Sequence, residues 1–339
     1  MQFQQKTKLA GLFGAAGFLL TANVCFSQSI DSIPKRDSLP RKVIAQVADR
    51  FPSTRMLHLE YSQLAPYRYN VNPSNALSKN KVSNQFIVKA NVNLSFVRKQ
   101  KWMLGATINY RYLAATAETV GIPVANAGTT QQGFHYHNTS INALYFSKLY
   151  GKMTIYSGSF IVDGSDQHFE RLKGRLSGTM LLKANAQTKI LVGVVLNIDP
   201  SSQIPALPIF SYEHRFANGL MADILIPQRL MVKKDILKNG RLSLGTEMGQ
   251  NTFYLYHSDS TSQKYEFRQT ELNSGFTYEQ LIGKSMSTFI KTGMKTSLNA
   301  RKFRKSEPVN DFVLEAKPNA AFYVSVGLSI NPFSKPRKK

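Results

Sequence analysis

The chain has 339 residues, 42% of them apolar, and carries 43 Lys and Arg against 20 Asp and Glu, a net charge of +23. Beyond the first 20 positions no stretch approaches the roughly 18 uninterrupted apolar residues of a spanning helix, which excludes a helical membrane protein. The basic surplus points to anionic partners, but it comes with no recognition helix, zinc spacing or aromatic RNA-binding signature, so nucleic acid is not expected.

Met1 to Lys8 is polar, with Lys6 and Lys8 and no acid; Leu9 to Leu20 is apolar; Thr21 to Gln28 is short and polar-leaning. That order is a secretory signal. Its apolar part is about a dozen residues, short of the roughly 20 that an anchor needs. Cleavage is expected between Ser27 and Gln28, with small residues at Cys25 and Ser27. Val24, directly before the lone Cys25, does not suit a lipidation box. Residues 1–27 are therefore read as a signal peptide and 28–54, polar and proline-bearing, as a flexible periplasmic extension. Residues 55–333 are read as one β domain and 334–339 as a basic tail.

From there the chain alternates. Phe86, Val88, Ala90, Val92, Leu94 and Phe96 share one face against Lys89, Asn91, Asn93 and Ser95. Trp102, Leu104, Ala106, Ile108, Tyr110 and Tyr112 oppose Gly105, Thr107, Asn109 and Arg111. Leu242, Leu244, Thr246 and Met248 oppose Arg241, Ser243, Glu247 and Gly249, and Phe322, Val324, Val326, Leu328 and Ile330 oppose Tyr323, Ser325, Gly327 and Ser329. A period of two is the strand period. The runs exceed ordinary strands and match a tilted bilayer span of roughly 9–11 residues with overhang. Trp102, Tyr110, Tyr112, Phe253, Tyr254, Tyr256, Phe276, Tyr278 and Phe333 fall near strand ends, as an interfacial aromatic girdle would.

Short breaks at Arg98–Lys101, Gly151–Lys152, Asn185–Gln187, Ala217–Gly219, Lys238–Gly240 and Ile282–Lys284 alternate with longer ones. The longer set is Leu64–Lys81, Thr116–Gly133, Asp163–His168, Asp199–Ala206, His257–Ser262 and Asn299–Asp311. Alternating turn lengths are the habit of outer-membrane barrels. The pattern fails once, between Gly219 and Asn239, where Pro227-Gln228 offers the missing reversal. Accepting it predicts an all-β antiparallel transmembrane barrel of 14 strands, with 12 as the alternative. The last strand, through Ser325, Gly327 and Ile330, resembles the closing strand read by the barrel-assembly machinery, although Pro332 falls where an aromatic is usual.

The signal ending Ser27-Gln28, with Pro205-Ala206-Leu207-Pro208, Tyr212 and Leu225-Ile226-Pro227 within Gly193 to Pro227, resembles a family of Bacteroidota outer-membrane barrels of unassigned function. The resemblance, from about Leu57 onward, implies a fold and a place in the cell outer membrane of a Gram-negative bacterium. It implies no activity and no ligand.

On the polar face Lys89, Arg111, Lys173, Arg175, Arg241, Lys291 and Lys295, with Glu247, are candidate lumen-lining residues. A basic lining favours passage of small, anionic solutes, and porin-like permeation is the leading expectation. The alternative is a structural barrel whose lumen is filled by paired charges. Its basic loops, with Arg301, Lys302, Arg304 and Lys305, would grip outer-membrane lipids at lipopolysaccharide phosphates. A third reading, a lipid hydrolase, draws on His135, His137 and Thr139. Threonine is a poor nucleophile, Ser140 lies on the other face and no orienting carboxylate stands out. The chain is therefore expected not to be an enzyme. Asp163 to His168 lacks the full ligand set of a calcium loop, and His257 with Asp259 reads as solvated surface. No metal and no cofactor are expected, and the oligomeric state is left open.

Overall fold

The computed structural model describes residues 55–72, 79–120, 129–202, 204–256, 263–283, 285–305 and 307–331. The expected signal peptide, the 28–54 extension, the His257–Asp259 pair, Phe333 and the basic tail lie outside them. The described residues contain no helix.

The strands in chain order are β1 (Leu57–Leu64), β2 (Tyr67–Asn72), β3 (Lys79–Arg98), β4 (Trp102–Val120), β5 (Thr129–Leu149), β6 (Lys152–Gly164), β7 (Phe169–Ala184) and β8 (Thr188–Ile198). They continue with β9 (Ala206–Arg215), β10 (Leu220–Ile226), β11 (Arg229–Ile236), β12 (Gly240–Leu255), β13 (Tyr265–Ile282), β14 (Met286–Arg304), β15 (Phe312–Pro318) and β16 (Ala321–Ile330). β1 and β2 form one wall strand interrupted at Ala65-Pro66, and β15 and β16 form another, interrupted at Asn319-Ala320. The first of these pairs with β3 on one side and with the last on the other. The result is a closed antiparallel barrel of 14 strands. Pro66 has no N–H to give the ladder, and that is why the first wall strand breaks there.

The expected reversal at Pro227-Gln228 is present, joining β10 to β11 in register from Leu225↔Arg229 to Leu220↔Lys234. All six short turns fall where the alternation put them. Three of the longer breaks are narrower than expected. β2 occupies part of Leu64–Lys81, β4 and β5 reach Val120 and Thr129 into Thr116–Gly133, and β14 continues to Arg304. Beyond an apolar band both faces of a strand meet water, so side-chain alternation stops while backbone pairing, which does not need it, goes on.

The faces are inverted relative to a water-soluble barrel. Along β16, Phe322, Val324 and Val326 are 49, 36 and 46% exposed, whereas Tyr323 and Ser325 are 6 and 2% exposed. The same holds around the wall. Leu59, Ile108, Ile141, Phe160, Leu196 and Leu244 point outward and exposed, while Glu60, Asp163, Arg241 and Glu271 are buried within. Apolar outside and charged inside is the arrangement that hydrocarbon solvent demands. Trp102, Tyr145 and Tyr156 stack side by side near the short-turn end, with centroids 4.5 and 6.5 Å apart, as part of an aromatic belt.

Wall height is uneven. β10 and β11 have 7 and 8 residues, while β12, β13 and β14 have 16, 18 and 19. The inward row Gly245–Gly275–Gly293 crosses the tall strands in register. A Cβ on Gly245 would lie 2.1 Å from the Leu230 carbonyl oxygen, and one on Gly293 2.0 Å from that of Ser274. Glycine at these positions lets the neighbouring backbones approach this closely.

If the exposed band faces lipid, Leu244→Arg should lower the stability of the vesicle-embedded protein by about 2–4 kcal/mol in urea unfolding. A soluble barrel would tolerate the same exposed change.

Candidate functional site

β12 departs from alternation at its long-loop end. Asn251, Thr252, Phe253 and Tyr254 are 2, 6, 2 and 4% exposed, so both faces are buried. The cause is topological. β11 follows β12 only as far as Arg229↔Glu247, with one further bond from the Met248 amide to the Gln228 carbonyl, whereas β12 stays paired to β13 as far as Leu255↔Tyr265. Freed from the wall on one edge, this end of the β12–β13 hairpin lies inside the lumen.

One face of it packs on the inner wall of β3, β4 and β5. Phe253 is buried with Ile87 and Leu113, against Phe134, Tyr136 and Phe267. The other face meets β5, β6 and β7. The Tyr254 hydroxyl donates to Asp163 Oδ1 at 2.9 Å, the Tyr136 hydroxyl donates to Oδ2 at 2.9 Å, and Lys173 Nζ reaches the same Oδ2 at 2.6 Å. Arg171 pairs with Glu266 at 2.7 Å, and Arg268 pairs with Glu266 and donates to the Ser201 carbonyl at 2.8 Å. The β8–β9 loop thus stands over the low wall, with Ser201 held between β7 and β13. A buried carboxylate such as Asp163 persists only with its hydrogen bonds made, and removing a partner of a buried pair typically costs about 3–5 kcal/mol.

Phe253 and Tyr254 are therefore not girdle residues, as expected from their place near a strand end, but the body of an internal closure. The signal was present in the sequence: Phe253, Tyr254, Leu255 and Tyr256 are four apolar or aromatic residues in a row, which no single lipid-facing strand needs.

Most candidate lumen residues are tied to acids. Lys89 pairs with Glu60 at 3.0 Å, Lys291 with Glu247 at 3.2 Å and Glu60 at 3.8 Å, and Lys295 with Glu271 at 2.9 Å. Arg241 pairs with Asp235 at 2.7 Å. Arg175 donates to Asn197 at 3.2 Å and is exposed to solvent. Arg111 donates to the Gln250 carbonyl at 2.7 Å. The acids Glu60, Asp163, Asp235 and Glu266 were not foreseen in these roles, since which cation meets which carboxylate depends on register and on the cross-lumen approach.

At the rim, Arg301 pairs with Glu315 at 2.9 Å, Arg304 with Glu307 at 3.0 Å and Lys305 with Glu170 at 2.5 Å, while Lys302 lies over the Tyr265 ring at 4.2 Å. Burial, with Glu170 alongside, pushes the Tyr256 phenol up to about 12, so it stays protonated and donates to Glu170 at 3.0 Å. His135 and His137 face outward. His135 meets the Tyr110 hydroxyl at 2.7 Å, and His137 Nε2 donates to the Ser165 carbonyl at 2.7 Å, which occupies the nitrogen a general base would use. Among the described residues no cluster of three or more His, Cys, Asp or Glu could hold a metal ion.

No protein-family model matches the chain, and no curated protein matches it. Solved structures similar to it include the transport unit of the autotransporter AIDA-I from Escherichia coli, at 10% identity over 87% of this chain and 97% of that one, with a TM-score of 0.33. An outer membrane channel from Pseudomonas putida F1 is 9% identical over 82% and 96%, with a TM-score of 0.35. The outer membrane protease OmpT from Escherichia coli is 8% identical over 83% and 99%, with a TM-score of 0.28. Likenesses this distant carry no weight for function, and the barrel stands on its own strand pairing.

Burial raises the Asp199 carboxyl, but Lys173, the Ser201 hydroxyl and amide, and Arg171 together outweigh burial and hold it below its ordinary value. Its stabilisation of the loop is fully present above the unfolded value of about 3.9 and is lost as pH falls through the lower folded value. Pepsin cleavage in the 199–205 loop should rise over that acid window. Asp199→Asn should flatten the dependence; identical profiles for both proteins would contradict it.

Proposed function

We propose that this chain is an outer-membrane barrel, of the Bacteroidota kind its signal and its Pro205–Pro227 segment resemble, that passes small anionic solutes and rests closed. The short-turn end then faces the periplasm and the long-loop end the cell exterior. The observation that carries this reading is the end of the β12–β13 hairpin within the lumen. One edge of it lacks a ladder partner from Gly249 onward, so on that side and across the lumen it is held by side-chain contacts rather than by sheet. Displacing it breaks hydrogen bonds such as Tyr254 to Asp163 and leaves the wall intact. The passage reading also draws on Arg111 and Arg175, lumen cations with no carboxylate in ion-pair range among the described residues. Nothing on the outward His135–His137 face supplies a nucleophile with a free base, so the reading is of a barrel that is not an enzyme.

The extent of ion pairing in the lumen favours a second reading, a non-conducting envelope barrel whose basic rim binds lipopolysaccharide. Planar-bilayer recording separates the two. Wild-type protein should open rarely. Tyr254→Phe removes a hydrogen bond to a charged group, about 1.5–3 kcal/mol, and should raise open probability about ten- to a hundredfold, with anion preference. Asp163→Asn should act in the same direction. Silence of both variants in barrels that still migrate as folded on gels would overturn passage. The envelope reading would then predict weaker lipopolysaccharide binding on changing Arg301, Lys302, Arg304 and Lys305 to Gln.

A further inference from the structure

Of the two lumen arginines without a carboxylate partner among the described residues, Arg175 is exposed to solvent and Arg111 has its Nε buried. Arg111 lies on the inner wall in register with Lys89 on one side and Tyr136 on the other. Around it Glu60, Glu247 and Glu271 answer Lys89, Lys291 and Lys295 within 2.9–3.2 Å at the closest pairs. Those three lysines and Arg111 face three carboxylates, which leaves an excess of one positive charge, and it falls on Arg111. Among the described residues no carboxylate lies in ion-pair range of its guanidinium. Nη1 donates to a neutral backbone carbonyl, that of Gln250 on the inserted hairpin, and Nε is buried with no hydrogen-bond partner. Toward the short-turn end the next inward positions are amides, with Asn109 donating to Asn138 at 2.7 Å, and Glu60 and Glu271 act on Arg111 only from beyond ion-pair range.

An ionised acceptor makes a shorter and stronger bond to a guanidinium than a neutral carbonyl does, and the planar fork can engage two oxygens of one anion. We propose that Arg111 is the docking point for the oxyanion of a small soluble solute, a carboxylate or a phosphate, and that this anion and the closed hairpin compete for the same guanidinium. The proposal rests on the passage reading above and names its substrate class. The inner-wall position behind β12 selects a soluble anion over a lipid headgroup. Competition makes the coupling reciprocal: anion binding releases the Gln250 contact, and a loosened hairpin binds the anion more tightly.

Calorimetric titration of inorganic phosphate and of succinate into the detergent-solubilised full chain at low salt tests this. Wild type should bind at least one of them, and Tyr254→Phe should bind the same anion at least tenfold more tightly. Arg111→Gln should abolish binding in both backgrounds. Arg111→Lys, which keeps the charge without the fork, should weaken it at least tenfold while the barrel still runs as folded. Binding that survives Arg111→Gln, or no binding of either anion to Tyr254→Phe, overturns the site; equal affinity in wild type and Tyr254→Phe overturns the competition. Bilayer recording distinguishes this from failure of the passage reading. Tyr254→Phe that conducts without binding either anion overturns the Arg111 site alone. Arg111-dependent binding in a barrel that never conducts supports the site and overturns passage.

Discussion

Everything in this molecule follows from the requirement that a chain in hydrocarbon must pair each backbone N–H and C=O with another part of itself. Strands satisfy it only by closing, and so the first wall strand, β1 with β2, meets the last, β15 with β16. Closure then dictates composition. The outer face takes Leu59, Ile108, Ile141 and Leu244, exposed and apolar, and the polar residues a soluble protein would display are turned inward. A barrel of 14 strands encloses more space than ordinary side chains fill, and it is filled here by charge pairs and by part of the wall itself.

The low wall at β10 and β11 and the tall wall at β12 to β14 are two aspects of one feature. Where β11 stops, β12 loses a neighbour, and its buried aromatic face finds a new surface across the lumen on β3 to β5. The inward charges make that crossing specific. Asp163 gathers two tyrosine hydroxyls and a lysine, and Glu266 gathers two arginines, so the inserted hairpin is positioned by directed bonds as well as by the packing of Phe253. Arg111 differs in being held by a backbone carbonyl alone, with its buried Nε unpartnered. That makes the Gln250 contact the one an incoming anion displaces most readily.

Much of the architecture was legible because the strand period is local. Whether Val324 or Ser325 faces lipid depends on parity, and parity can be counted. The turn at Pro227-Gln228 was legible for a related reason, since two turns of the same kind cannot follow each other in an up-and-down barrel. Strand ends such as Val120, Thr129 and Arg304 were not, because past the lipid band nothing constrains alternating faces while the ladder continues. The lumen-facing cations could be named one by one, but not their partners. Lys89 meets Glu60 across adjacent strands, whereas Arg171 meets Glu266 from across the barrel.

By itself, then, the sequence pointed to the barrel, to 14 strands ahead of 12 and to the outward parity of its regular strands, since each of these rests on a period of two and on turn spacing along the chain. The tertiary structure alone decided that the lumen is crossed by the end of β12 and β13, that Phe253 and Tyr254 belong to that closure rather than to an interfacial girdle, and that Arg111 is left with a carbonyl for a partner. Those outcomes depend on strands far apart in the chain meeting across a closed wall, a distance that no local pattern encodes.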